Sequence, residues 1–116
     1  MISLATNCHL LERLDIRGCD VTDTGIISIS KHCIGLLDCS IANSDASKLS
    51  DTSIISLATN CKLLQSLSIY ESPGITDLSL LALAIHSRHL KIIDINDCEN
   101  VTEACWDYLD SSLNAK

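Results

Sequence analysis

Apolar and polar positions along the chain fall into a frame that recurs, C-x-x-L-x-x-L-x-L-x-x-C. The first copy reads Cys8, Leu11, Leu14, Ile16, Cys19, and the second Cys33, Leu36, Cys39, Ile41, Ser44. The third reads Cys61, Leu64, Leu67, Ile69, Ser72, and the fourth Ser87, Leu90, Ile93, Ile95, Cys98. The copies start at 8, 33, 61 and 87, so they are spaced by 25, 28 and 26 residues. Residues 2–14 and 55–67 agree at 10 of 13 positions. Self-similarity at such a period marks an array of stacked supersecondary units.

Each copy predicts two elements. In Leu14-Asp15-Ile16 and its counterparts apolar residues alternate with polar ones, the period of a strand with one buried face. Val21-Thr22-Asp23, Leu49-Ser50-Asp51, Ile75-Thr76-Asp77 and Val101-Thr102-Glu103 follow. Each leads into apolar residues three apart: Ile26 and Ile29, Ile54 and Leu57, Leu80 and Leu83, Trp106 and Leu109. Thr22, Ser50, Thr76 and Thr102 are expected helix N-caps, because a hydroxyl there accepts from an orphan backbone N–H and the acidic neighbour suits the positive helix end. The helices are expected to end near Asn7, His32, Asn60 and His86, residue types that tolerate the left-handed backbone of a helix terminus lacking glycine. Each unit is then strand, turn, helix, turn, and only stacking makes its apolar face part of a continuous core. The expected organisation is a single domain over 1–116, with a partial repeat helix at 1–7 and repeats at 8–32, 33–60, 61–86 and 87–116.

These two linked signatures resemble leucine-rich repeats of the cysteine-containing subtype, as in F-box/leucine-rich-repeat substrate receptors and antagonist-of-mitotic-exit-like proteins. The resemblance runs from Met1 to about Leu113. It implies an α/β fold, a right-handed solenoid of about four strand–helix repeats with a parallel sheet on the concave face and helices outside. It also implies protein–protein recognition rather than catalysis, for example as the substrate-recognition arm of an SCF-type ubiquitin ligase. The chain departs from the pattern where Cys39 replaces a leucine, Ser44 and Ser72 replace the second cysteine, Ser87 replaces the first, and Asn43 to Lys48 lengthens a loop. Nothing in it resembles an F-box.

Composition narrows the core and the partners. With no Phe, one Trp and two Tyr among 47% apolar residues, the interior must be built from Leu, Ile, Val, Ala and Cys. Pieces of similar size suit a regular, repeating interior. A net charge of −7 argues against a nucleic-acid backbone or an anionic membrane as partner. No apolar run approaches the roughly 18 residues of a membrane span, and no basic-then-apolar leader opens the chain. Seven cysteines without a CxxC pair read as free thiols in a reducing compartment, so an intracellular location, cytoplasmic or nuclear, is expected.

Reactive residue types are present, but each has a structural place in the repeat. Cys8, Cys33 and Cys61 form one column, but sulfurs a repeat apart cannot converge tetrahedrally on a metal, so buried apolar thiols are expected. Cys19 and Cys98, with Ser44 and Ser72, form a second column whose weak donors suit loop carbonyls. His32 and His86 fall at helix ends, His9 matches the surface positions Lys62 and Arg88, and His89 matches Leu10 and Leu63 and is expected to be half-buried. Asp15 and Asp94 share a column but lie three repeats apart, too far for joint acid–base work. No catalytic residue, metal site or cofactor is expected.

The outward strand positions are the better candidates. They form three rows: Arg13, Asp38, Ser66, Ile92; then Asp15, Ser40, Ser68, Asp94; then Arg17, Ala42, Tyr70, Asn96. Core columns repeat, whereas these rows change from unit to unit. The expected partner-binding set is Arg13, Asp15, Arg17, Ser40, Ser68, Tyr70, Glu71, Asp94, Asn96 and Asp97, centred on Tyr70 and Arg17, types enriched in interface hot spots. The expected partner is a protein. Met1 to Asn7 aligns with the back half of a repeat helix, which predicts a fragment or subunit of something larger. An alternative reading is a small structural subunit of a large assembly that uses that open N-terminal end as its contact. Glu103, Asp107 and Asp110, with Trp106 and Tyr108, are expected to form a terminal helix with an acidic outer face.

Overall fold

The computed structural model describes residues 11–16, 22–42, 49–70, 72–96 and 98–103, with the side chains of Ala42, Tyr70 and Asn96 excepted. Strands β1 (Arg13–Asp15), β2 (Asp38–Ala42), β3 (Ser66–Tyr70) and β4 (Ile92–Asn96) alternate with helices α1 (Asp23–His32), α2 (Asp51–Asn60) and α3 (Asp77–His86). The strands form one parallel sheet in the order β1-β2-β3-β4. A parallel pair needs a crossover of a dozen or more residues, and here each crossover carries a helix.

The expected rows are in register. Arg13 pairs with Asp38, Asp38 with Ser66 and Ser66 with Ile92; Asp15, Ser40, Ser68 and Asp94 form the second row. Ala42, Tyr70 and Asn96 align in the third, and Arg17 lies outside the described residues. Between the rows Leu14, Cys39, Leu67, Ile41 and Ile69 point inward and are buried. They meet Ile26, Ile29, Ile54, Leu57, Leu80 and Leu83 of the helices in one continuous cluster.

The turns repeat as faithfully as the elements. At each helix end the amides of Cys33, Cys61 and Ser87 donate to the carbonyls of Ile29, Leu57 and Leu83. Leu36, Leu64 and Leu90 then donate to the carbonyls of Cys33, Cys61 and Ser87 at 3.2 Å, turning the chain into the next strand. The left-handed termination expected at His32, Asn60 and His86 is not what ends the helices. These residues stay helical, and Cys33, Cys61 and Ser87 follow at φ −99°, −96° and −93°. Two of the three also bond their side chains back into the helix: His32 Nδ1 lies 2.9 Å from the Ser28 carbonyl, and Asn60 Nδ2 donates to the Ser56 carbonyl at 3.0 Å. The exit is made by the backbone instead, since all three helices end in the same pair of amide-to-carbonyl bonds at Cys33, Cys61 and Ser87 and the chain turns there without a left-handed residue.

The N-termini hold a feature that spans repeats. Ser50 and Thr76 cap as expected, accepting from the amides of Thr52 and Leu78 at 3.3 Å. Thr22 holds the same place with extended backbone, but its hydroxyl makes no cap bond. The acidic residue beside each cap reaches into the next unit. Asp23 accepts from the Ser50 amide at 2.9 Å, the Ser50 hydroxyl at 2.6 Å and the Ser53 hydroxyl. Asp51 accepts from the Thr76 amide at 2.7 Å, the Thr76 hydroxyl at 2.6 Å and the Ser79 hydroxyl at 2.5 Å. Asp77 accepts from the amide and hydroxyl of Thr102. Because the Ser50 and Thr76 hydroxyls donate to the preceding carboxylate, their lone pairs are left facing their own helix amides. The cap of one repeat is therefore set by the aspartate of the one before.

The turn after β3 packs closely on the repeat before it. A Cβ at Gly74 would stand 2.1 Å from the Leu49 carbonyl oxygen and 3.3 Å from the Ser50 Cα. Both are backbone atoms of the neighbouring repeat, pinned by the Asp23 clamp, so neither yields cheaply. Gly74→Ala is expected to cost about 1–3 kcal/mol. A thermal melt reads this as a fall of several degrees, whereas an unchanged melting temperature contradicts the close approach.

Candidate functional site

The sheet face turned away from the helices presents the variable rows. Arg13 and Asp15 on β1 are exposed, as is Ile92 on β4 at 61%, while Asp38, Ser40, Ser66, Ser68 and Asp94 are half-buried. The sheet holds Tyr70 and Asn96 at successive positions of the third row, whereas Arg17, Glu71 and Asp97 fall outside the described residues. Arg13, Leu14, Asp15, Asp38 and Ser40 line a shallow depression of about 420 Å³ across β1 and β2. Parallel pairing places neighbouring outward side chains about 4.8 Å apart, so a guanidinium, two carboxylates and a hydroxyl converge there. Such a set offers hydrogen bonds and charge to a partner surface.

The thiols behind this face are poorly suited to nucleophilic work. Burial pushes the Cys39 thiol up to about 12, with Cys61, Asp38, Asp15 and Cys33 adding to the effect. Burial likewise pushes Cys61 up to about 12, reinforced by Cys33. Both stay protonated at neutral pH, and the thiolate is the nucleophile. Cys33, Cys39, Cys61 and Cys98 are free and buried. The Cys61 thiol lies within 3.5 Å of the Ser30 and Cys33 carbonyls, and the Cys98 thiol lies 3.9 Å from the Ile69 carbonyl. Each is thus a weak donor into the preceding repeat. Among the described residues no cluster of His, Cys, Asp or Glu has the arrangement of a metal site. Cys8, Cys19, Ser44, His9 and the residues after Glu103, where a terminal helix is expected, lie outside those residues.

Two features went unread in the sequence. The cap-adjacent aspartates serve the next repeat as well as their own helix, and the recurrence of serine three residues after the cap, at Ser53 and Ser79, was the available signal. His89, expected to be half-buried, is exposed, and so is its counterpart Leu63 at 49%. Both sit at the tip of the turn before a strand, one residue ahead of the buried Leu64 and Leu90.

Comparison with known proteins places this geometry among relatives. The leucine-rich repeat family profile matches residues 7–30. The antagonist of mitotic exit network protein 1 of Candida glabrata is 32% identical over 95 residues, which cover 79% of this chain and 18% of that protein. The chain thus spans less than a fifth of that curated relative. The tropomodulin C-terminal domain of Caenorhabditis elegans superposes with a TM-score of 0.60 at 15% identity, over 97% of this chain and 89% of that one. No helix among the described residues is long and apolar enough to cross a membrane.

Proposed function

The chain is a leucine-rich-repeat protein, and from that premise we propose that it is a non-enzymatic module whose open sheet face binds a protein partner. One observation carries this reading. Inward positions keep their type from strand to strand, while the outward positions aligned with them run from Arg13 through Asp38 and Ser66 to Ile92. A surface freed from packing yet held rigid by a parallel ladder is where recognition residues can vary without cost to the fold. We assign the contact to Arg13, Asp15, Arg17, Ser40, Ser68, Tyr70, Glu71, Asp94, Asn96 and Asp97, with Tyr70 and Arg17 as anchors. The place of action is intracellular, in the cytoplasm or nucleus.

The finer reading is the substrate-recognition arm of an SCF-type ubiquitin ligase, within a protein of which this chain is one part. Its support is the likeness to cysteine-containing repeats of F-box receptors and to a relative named as an antagonist, a role that binding to another protein fulfils.

The test uses affinity capture with the chain, an Arg17→Glu/Tyr70→Ala variant, and a Lys31→Glu control on the opposite face. Loss of two anchors is expected to weaken partner binding by about thirtyfold or more, with an unchanged melt. Equal capture by the variant, or loss in the control, contradicts the assignment. Recovery of a cullin scaffold with the full-length protein supports the ligase reading, and recovery of partners without one removes it.

A further inference from the structure

Away from the sheet face, the turns that lead from α2 into β3 and from α3 into β4 enclose a second concavity. It is an open groove of about 440 Å³ lined by Lys62, Leu63, Ile85, His86, Arg88 and His89. Its lining combines exposed aliphatic side chains with basic ones. Leu63 is 49% exposed and Ile85 57%, two aliphatic side chains facing the same opening. Lys62 and Arg88 hold equivalent positions in successive repeats and flank the apolar pair, with the two imidazoles beside them. No carboxylate lines the groove, although the chain carries 15 acidic residues against 8 basic ones.

This basicity is not imposed by the repeat. The equivalent places one unit earlier are held by Ile34, Gly35, Thr59, Asn60, Lys62 and Leu63, a set with a single cation. Nor do core requirements ask for it, since the column that packs beneath, Leu36, Leu64 and Leu90, is buried and unchanged in type.

We propose that this groove docks an acidic peptide segment of a protein partner, one that carries an aliphatic anchor between carboxylates. The anchor covers Leu63 and Ile85, removing apolar surface from water, and the flanking carboxylates meet Lys62 and Arg88. Charge complementarity selects this occupant over a nucleic acid. A polyanion brings dense negative charge against a chain of net charge −7, whereas a short peptide brings only the few carboxylates that the groove can pair. The site is independent of the sheet face, so a single partner could engage both or separate partners one each.

The test titrates the ¹⁵N-labelled chain with a short synthetic peptide of glutamates flanking a leucine. A glutamine analogue and a single-stranded oligonucleotide are titrated in parallel. Saturable shifts confined to Lys62, Leu63 and the segment 85–89, absent with the glutamine analogue, are the expected result. The Lys62→Glu/Arg88→Glu variant should lose affinity by about tenfold or more while melting normally. Failure of the glutamate peptide to bind, shifts elsewhere, equal binding by the charge-reversed variant, or stronger binding of the oligonucleotide at these residues each overturns the proposal. Arg17→Glu/Tyr70→Ala should leave this binding unchanged, which separates its fate from that of the sheet face.

Discussion

Leu67→Ala is expected to remove about 3–5 kcal/mol of stability, a large share of what a chain of this size possesses. Leu67 is fully buried at the inner centre of β3, paired with Cys39 on one side and Ile93 on the other. The cost of truncation depends on how far the surroundings collapse into the space left. Here they cannot collapse far, because β3 is hydrogen-bonded along both edges and its backbone is fixed by two ladders. The neighbour Cys39 is already small where the repeat pattern calls for leucine, so it offers nothing to fill the gap. Leu14→Ala, at the same position on β1, should cost roughly half as much, since Leu14 retains 8% exposure and β1 pairs on one side among the described strands. Urea titrations of the two variants measure the difference. Equal and small losses contradict a shared, rigid core.

Asp23→Ala is expected to cost about 2–3 kcal/mol, far above an ordinary surface change. The carboxylate takes three hydrogen bonds from the next repeat. The amide and hydroxyl of Ser50 can turn to water, but the Ser53 hydroxyl is fully buried and loses its carboxylate partner. The same clamp sets acid stability. Burial works to raise the Asp23 pKa, but the Ser50 hydroxyl, the Ser53 hydroxyl and the Ser50 amide outweigh it and hold the carboxyl below its usual 3.8. The Thr102 hydroxyl and amide lower Asp77 in the same sense. A folded pKa below the unfolded value means stability that is present above about pH 4 and drains away as pH falls through the folded value. Unfolding free energy measured from pH 6 downward should therefore fall on the acid side. Asp23→Asn should start lower and fall less steeply, with Asp77 supplying the remaining slope. An acid limb identical in the wild-type chain and Asp23→Asn contradicts the clamp.

What the sequence made legible follows from which physics is local. Strand register could be read in advance because a period of two and a repeat spacing near 26 leave one alignment that turns Leu14, Cys39, Leu67 and the partly buried Ile93 inward together. Ile26, Ile54 and Leu80 declared the inner helix faces by the same logic. The helix caps were half legible: Ser50 and Thr76 behave as their type predicts, whereas Thr22 and the helix ends do not. A cap is one of several ways to satisfy the same orphan groups, and the choice depends on neighbours in space. The aspartate clamp was hidden for that reason. Asp23 and Asp51 have a sufficient local role at a helix N-terminus, so nothing within their own repeat required a partner 25 to 30 residues away. The basic groove was hidden similarly, since Lys62 and Arg88 read singly as surface residues and only stacking brings them beside Ile85.

Copies of one strand–helix unit stack in register, and the proposed recognition surface depends on that stacking. Interstrand proton contacts measured by NMR test it most directly. Cross-peaks are expected to link Cys39 to Leu67 and Ile41 to Ile69, continued from Leu67 to Ile93 and Ile69 to Ile95, in the pattern of parallel pairing. Antiparallel cross-peaks, or pairing shifted by one residue so that Ser40 and Ser68 turn inward, would contradict the fold and the binding face together.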